Sequence, residues 1–199
     1  APSSHIRASL PAAIGNDATI RIARGTSLAM AGYTLIGEKN DGALIKQWLV
    51  NHNVVSLLPD QWEALRIRQG RPMPGYELTD QDNPLEAGLW HSISFDKGCY
   101  IGQEIIARLS AYRGVKKQLW GFKLGQFVPP NVSLYLEGAK VGKLTSVIAD
   151  DTGVWGLGYL RTKAGGAGLV LEVENTTAEA VDLPFASRGY LETSAIAST

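Results

Sequence analysis

Cysteine is nearly absent from this sequence. One residue, Cys99, in 199 excludes an intramolecular disulfide and fits a reducing compartment such as the cytoplasm. Net charge is absent too, with 19 Lys and Arg set against 19 Asp and Glu. A neutral chain lacks the overall basic field by which proteins hold nucleic acid through its phosphates. Direct nucleic-acid binding is therefore not expected, although local basic patches stay open. No apolar run approaches the roughly 20 residues that span a bilayer, so no membrane partner is expected. The start, Ala1-Pro2-Ser3-Ser4-His5, has no charged stretch followed by an apolar one and does not read as a signal peptide. It also lacks an initiator Met, and the expectation is of a chain that is processed or part of something longer. Without a secretory signal, the sequons at Asn131-Val132-Ser133 and Asn175-Thr176-Thr177 read as chance matches. His5, His52 and His91 are scattered, and with one cysteine they make no metal-site spacing.

What is present is an ordinary globular composition, 45% hydrophobic and 19% charged, long enough for one large domain or two small ones. Thr19-Ile20-Arg21-Ile22 alternates polar and apolar, as a half-buried strand does. Ser27 to Ile36 reads as a second strand, with Gly25 in the intervening turn. A helix follows, with Asn40 or Asp41 as N-cap and Leu44, Ile45, Trp48 and Leu49 on one face. Another runs from about Pro59 to Gln69, with Trp62 and Leu65 sharing a face and Gly70 at C′. Two strands are too few for a stable sheet. Unpaired edges or apolar surface are therefore expected around Ile20, Ile22, Leu28 and Leu35.

From Gly70 to Gly98 the texture becomes irregular, with Pro72, Pro74 and Pro84 among glycines. A short helix, Gly102 to Leu109, is expected to bury Ile105, Ile106 and Leu109. Beyond Gly114 come six short candidate strands: 118–124, 133–135, 139–148, 154–159, 169–174 and 178–183. Turn signals such as Pro129-Pro130-Asn131 and Asp150-Asp151-Thr152-Gly153 separate them, predicting a small antiparallel barrel or sandwich. The class is α+β. An α+β piece is expected over 1–75, a connecting segment with a short helix over 76–114, and the barrel over 115–199.

The most informative stretch is Lys97-Gly98-Cys99-Tyr100-Ile101-Gly102-Gln103-Glu104. It puts the cysteine in a Gly-flanked turn just before a helix. The positive helix end and the Lys97 ammonium would both favour a thiolate there. Gln103 and Glu104 can cap the helix or meet a ligand. The plainer reading makes Cys99 a small buried hydrophobe, and the residues alone leave both open. If the thiol is used, it belongs in a partly exposed turn, with Lys97 and Arg108 as charge partners.

This octapeptide resembles the signature of the YgfZ-type folate-binding proteins, K-G-C-[Y/F]-x-G-Q-E, at every specified position. Ala64-Leu65-Arg66-Ile67, Asn83-Pro84-Leu85-Glu86-Ala87-Gly88-Leu89 and Gly156-Leu157-Gly158-Tyr159 resemble segments of the same proteins and of their relative, the glycine-cleavage T-protein. The resemblance implies the C-terminal part of a T-protein-like folate-binding domain over 1–75, followed by the family's β-barrel. It implies a tetrahydrofolate-type ligand and support of iron–sulfur cluster assembly or repair in client enzymes, tRNA-modifying enzymes included. Iron–sulfur assembly proteins and those clients would be the partners, and Cys99 the functional thiol. Lys97, Tyr100, Gln103, Glu104 and Arg108 would contact the cofactor. One thiolate cannot hold a cluster that takes four ligands, so any cluster would be transient or shared. A tetrahydrofolate-dependent aminomethyltransferase and an interaction module without ligand are the competing functions.

Other signals lead elsewhere. Gly138-Ala139-Lys140-Val141-Gly142-Lys143 misses the P-loop spacing and has Leu144 at its Ser/Thr position, so it reads as strand. Neither a Gly-x-Ser-x-Gly elbow nor a dinucleotide fingerprint occurs. Trp48, Trp62, Trp90, Trp120 and Trp155 form no stacking stripe for nucleic acid. Arg108, Arg113, Lys116 and Lys117 are locally basic and read either as a solvated face or as a contact for folate's glutamate tail or an acidic partner.

Overall fold

The computed structural model describes residues 6–9, 19–95, 97–111 and 114–188. It divides into two compact units, residues 1–62 and 63–199. The division falls inside a helix, ahead of residue 75 where the composition changes.

The first unit holds a three-stranded antiparallel sheet in the order β1 (Ile6–Ser9), β2 (Thr19–Arg24), β3 (Tyr33–Ile36). The strand expected over Ser27–Ile36 is cut to its last four residues. The Leu28 N–H donates to Thr26 Oγ1 at 3.2 Å, and Thr34 Oγ1 donates to the Gly25 carbonyl at 2.9 Å. Hydroxyls that bond nearby backbone in this way hold it in a turn instead of a ladder. Helix α1 (Gly42–Asn51) follows a 3-10 turn at Lys39–Asp41. Asp41 is its N-cap residue but makes no side-chain capping bond. Ile45, Trp48 and Leu49 are half-buried on it, whereas Leu44 is exposed. The expectation of apolar surface needs correction at two positions, since Ile20 and Leu28 are buried, Ile22 is half-buried and Leu35 alone is exposed. Ile20 gains cover within the unit, where Gly37 sits close to both it and Ile45.

Helix α2 (Pro59–Gln69) enters the second unit at Glu63. Its buried residues are Ala64, Arg66 and Ile67, so the expected Trp62–Leu65 face is not the one it buries. Gly70 ends it with φ of +83° and donates its N–H to the Arg66 carbonyl at 2.9 Å. A side chain there would strike Leu183, so glycine is required twice over.

The barrel strands are β4 (Lys117–Leu124), β5 (Ser133–Leu136), β6 (Ala139–Asp150), β7 (Gly153–Arg161), β8 (Val170–Val173) and β9 (Thr176–Val181). They close antiparallel in the order β4-β7-β6-β5-β8-β9, with β9 returning to β4. All six expected strands are present, in the α+β class read from the sequence. Alternation puts Phe122, Leu124, Leu134, Leu144, Leu160 and Leu171 into one buried cluster that fills the lumen. Leu119, Leu157 and Tyr159 point outward instead, and Ile67, Ala87 and Leu183 cover them. Gly158 allows β6 and β7 to approach, because a Cβ there would lie 2.3 Å from the Lys143 carbonyl. Among the described residues, no helix is long and apolar enough to cross a membrane.

Candidate functional site

The polar centre of the second unit is built on Arg66, which an interior helix position would normally exclude. Its guanidinium forks onto the Glu63 carboxylate, Nε to Oε2 at 2.8 Å and Nη2 to Oε1 at 2.6 Å. Nη1 donates to Glu77 Oε2 at 3.0 Å and to the Arg71 carbonyl at 2.8 Å. Glu77 is fully buried. Its Oε1 accepts from Thr145 and Ser146, both at 2.6 Å, and its Oε2 from the Met73 N–H at 3.1 Å. Burial works against the Arg66 charge, yet the bonds to Glu63 and the negative charge of Glu77 and Glu63 hold its pKa above the usual value. Every charge here is paired and hydrogen-bonded, as burial requires. The arrangement is structural. It joins α2, the 73–77 turn and β6, and encloses the Glu77 carboxylate away from solvent.

Tyr159 extends this centre by donating its hydroxyl to the Glu77 carbonyl at 2.6 Å. Its pKa is pushed up, chiefly by burial and then by the charges of Asp82, Glu77 and Glu86. The Lys117 ammonium lies 4.3 Å from the centre of the Tyr159 ring and pairs with Asp82. The cation thus sits over an aromatic face while its charge is met by a carboxylate.

The Cys99 turn is a different kind of place. Gly102, with φ of +87°, reverses the chain before α3 (Gln103–Ala111). Gln103 Oε1 accepts the Tyr100 N–H at 3.1 Å, a side-chain cap across the turn. Cys99 is exposed, and so are Lys97, Glu104 and Arg108, with Ile101 fully projected into solvent. Lys97 Nζ stands 4.8 Å from the Tyr100 ring centre. Among the described residues neither Lys97 nor Arg108 hydrogen-bonds with the thiol. Tyr100, Gln103 and Glu104 line a shallow cavity of 330 Å³ with Gly102 and Ile105. Of the candidate residues, then, Lys97, Cys99, Tyr100, Gln103 and Glu104 lie close together in sequence across one turn, while Lys97, Cys99 and Arg108 stand outside that cavity's lining. Arg113 lies outside the described residues.

Anchoring comes from behind. Ile106 packs with Leu85 and Val115, backed by Trp90, Ile93 and Leu109. Ile105, expected in that buried face, is 52% exposed. It flanks the cavity instead, because only the Ile106–Leu109 stripe meets the 85–93 segment.

Sequence reasoning missed the Arg66–Glu77 centre. Glu63 and Arg66 at i,i+3 were visible, but Glu77 sits in an irregular stretch and Thr145 and Ser146 are far along the chain. No local pattern joins them.

No protein-family profile matches the chain. It is 37% identical over 174 residues to a chloroplastic protein of Arabidopsis thaliana provisionally named a transferase, covering 86% of this chain and 40% of the relative. An aminomethyltransferase of Halothermothrix orenii is 32% identical over 132 residues, 62% of this chain and 36% of that one. A protein of Hamiltonella defensa named tRNA-modifying protein YgfZ is 46% identical over 61 residues, 30% of this chain and 18% of that one. The chain thus spans well under half the length of these curated relatives. The crystal structure of the glycine cleavage system aminomethyltransferase T from Bartonella henselae superposes with a TM-score of 0.70 at 19% identity, over 85% of this chain and 50% of that one.

Proposed function

Because the chain belongs to the family of T-protein-like proteins that includes the YgfZ type, we infer that it works as a folate-linked accessory protein supporting iron–sulfur enzymes. Its clients include tRNA-modifying enzymes, and its functional group is the Cys99 thiol. The observation that carries this reading is the geometry of the 97–104 turn. The cysteine of the YgfZ-type signature is exposed in a turn that packing behind α3 and the Gln103 cap hold in place. A thiol that exchanges ligands or electrons with a partner must be reachable.

The donor set of the turn suits a folate. Lys97 offers a cation to a carboxylate tail, Tyr100 an aromatic edge, and Gln103 and Glu104 amide and carboxylate groups to a pterin; Arg108, one helical turn on, is a second cation for the tail. A cluster is different. Among the described residues no group of three His, Cys, Asp or Glu converges as a metal site. A cluster is therefore cargo, held jointly by Cys99 and ligands from an assembly protein or client. The single cysteine suits a reducing compartment, the cytoplasm in this reading.

Aminomethyl transfer is the second reading, favoured by the names of several relatives. It needs a carboxylate free to act at the folate nitrogens. Glu77, the most buried carboxylate described, already accepts from Arg66, Thr145, Ser146 and the Met73 N–H.

The test uses one variant and two readouts. Cys99→Ser is nearly isosteric at an exposed position, so its melting temperature should equal that of the parent. In cells lacking the native protein it should fail to restore the activity of iron–sulfur enzymes. Full complementation by a stably folded Cys99→Ser protein would remove the thiol from the mechanism. Titration with 5-formyltetrahydrofolate tests the cofactor separately, and absence of binding would favour an interaction module without ligand.

A further inference from the structure

The outward face of the barrel changes character along its strands. In the middle of β4 and β7, Leu119 and Leu157 are covered by apolar side chains. Where β4 begins and β7 ends, Lys117 lies directly opposite Arg161. Like charges facing each other across a ladder oppose pairing. Lys143 on β6 faces Tyr159, and Tyr159 and Arg161 are two residues apart, so Lys143 and Arg161 share this face. Three adjacent strands therefore put cations side by side.

Those cations are not spread over a convex surface. Lys117, Lys140, Lys143 and Arg161 line a cavity of 580 Å³, against Asp80 and Asp82. A second cavity, of 790 Å³, shares Lys117 and Arg161 and adds Lys116 and Lys163, against Glu86 alone. Asp82 is already committed to Lys117, and Glu86 is its second partner. Among the described residues Lys140, Lys143 and Arg161 make no ion pair. The two cavities share no lining residue with the one formed by Tyr100, Gln103 and Glu104.

We propose that this two-chambered groove binds an extended, small-molecule polyanion, with phosphate or carboxylate groups spaced along a chain. Unpaired cations in a concave site concentrate the field on an anionic ligand. Two chambers joined at Lys117 and Arg161 match several charges in series better than a single oxyanion. Arg161, at the junction, is the central contact, since its planar fork reads phosphate and carboxylate alike. Lys117, held by Asp82 over the Tyr159 ring, forms a fixed wall.

Calorimetric titration of the full 199-residue chain with tripolyphosphate, and separately with tetra-γ-glutamate, tests the proposal. At least one should bind, and where both bind they should compete. Binding of one alone identifies the ligand as phosphate- or carboxylate-bearing. Arg161→Gln should weaken binding about tenfold, as loss of a charged hydrogen bond does, and Lys143→Gln by a smaller factor. Lys123→Gln, on β4 outside both linings, should leave it unchanged. Circular dichroism checks the fold of each variant, and exposed Lys143 decides if Arg161→Gln does not fold. The proposal fails if neither probe binds, or if Lys123→Gln weakens binding as much as Arg161→Gln. It fails equally if only a single-stranded RNA oligonucleotide binds.

Discussion

The barrel and the first unit spend their apolar residues in opposite ways. In the barrel, each strand pairs on both sides and Phe122, Leu134, Leu144 and Leu160 are wholly enclosed. In the first unit, Ile20 and Leu28 are the buried hydrophobics among the described residues, while Tyr33, Ile36, Val50, Val55 and Leu58 stay exposed. Among the described residues, eleven of the eighteen exposed large hydrophobics lie between Met30 and Trp62. A closed sheet finishes its own core, whereas a three-stranded sheet with one helix covers only a few side chains. Stability should therefore be concentrated in the second unit, and substitutions can break that comparison.

The largest effect is expected from Phe122→Ala in the lumen, about 3–5 kcal/mol lost on urea unfolding. The matched change in the first unit, Val55→Ser at 87% exposure, should stay within about 0.5 kcal/mol. Comparable losses from the two would mean that Val55 is covered in solution and that the contrast is false.

Glu77→Gln should come next. It keeps the volume but removes the charge that Arg66 meets, and breaking a buried pair costs about 3 kcal/mol. Because Glu63 still holds Arg66, a loss well below that value would show that the Glu63 fork alone satisfies the guanidinium. This centre belongs to the second unit, so the first unit's far-ultraviolet signal should be insensitive to it.

Tyr159→Phe is the smallest change expected in the second unit, about 1 kcal/mol for the lost hydrogen bond to the Glu77 carbonyl. It carries a pH signature. The folded-state pKa of Tyr159 is raised, so the native state keeps the proton after the unfolded chain begins to lose it. The contribution is then complete below about pH 10, the unfolded tyrosine value, and declines as pH rises beyond it. Unfolding measured from pH 8 upward should show this decline in the parent and a flatter profile in Tyr159→Phe. Parallel profiles would place the decline in other groups.

The same contrast governs what could be read without a structure. The barrel strands were legible because alternation and Gly-rich turns act locally, residue by residue. Gly70 was legible for the same reason. Thr26 was harder, since a single hydroxyl bonding backbone two residues on converts an apparent strand into a turn. Ile105 and Ile106 are both apolar, and only packing against Leu85 and Val115 selects which one is buried. The Cys99 turn was legible as a motif, but its exposure depends on how the 85–115 segment folds back on itself. The Arg66 centre and the cationic groove were hidden because their members come from strands and turns far apart in sequence.

The seam between β4 and β9 has a consequence in time. β6 and β7 are joined by a tight turn, with Asp150 opposite Gly153, and can pair as soon as both exist. β4 precedes them, yet its second neighbour is β9, with Gly121 opposite Val181. During synthesis one edge of β4 must wait until almost the whole barrel has left the ribosome. Such distant pairings form slowly, because the chain between them must first be ordered. Until Val181 arrives, the nascent barrel is an open sheet with two hydrogen-bonding edges, the form in which β proteins are most prone to pair with the wrong neighbour.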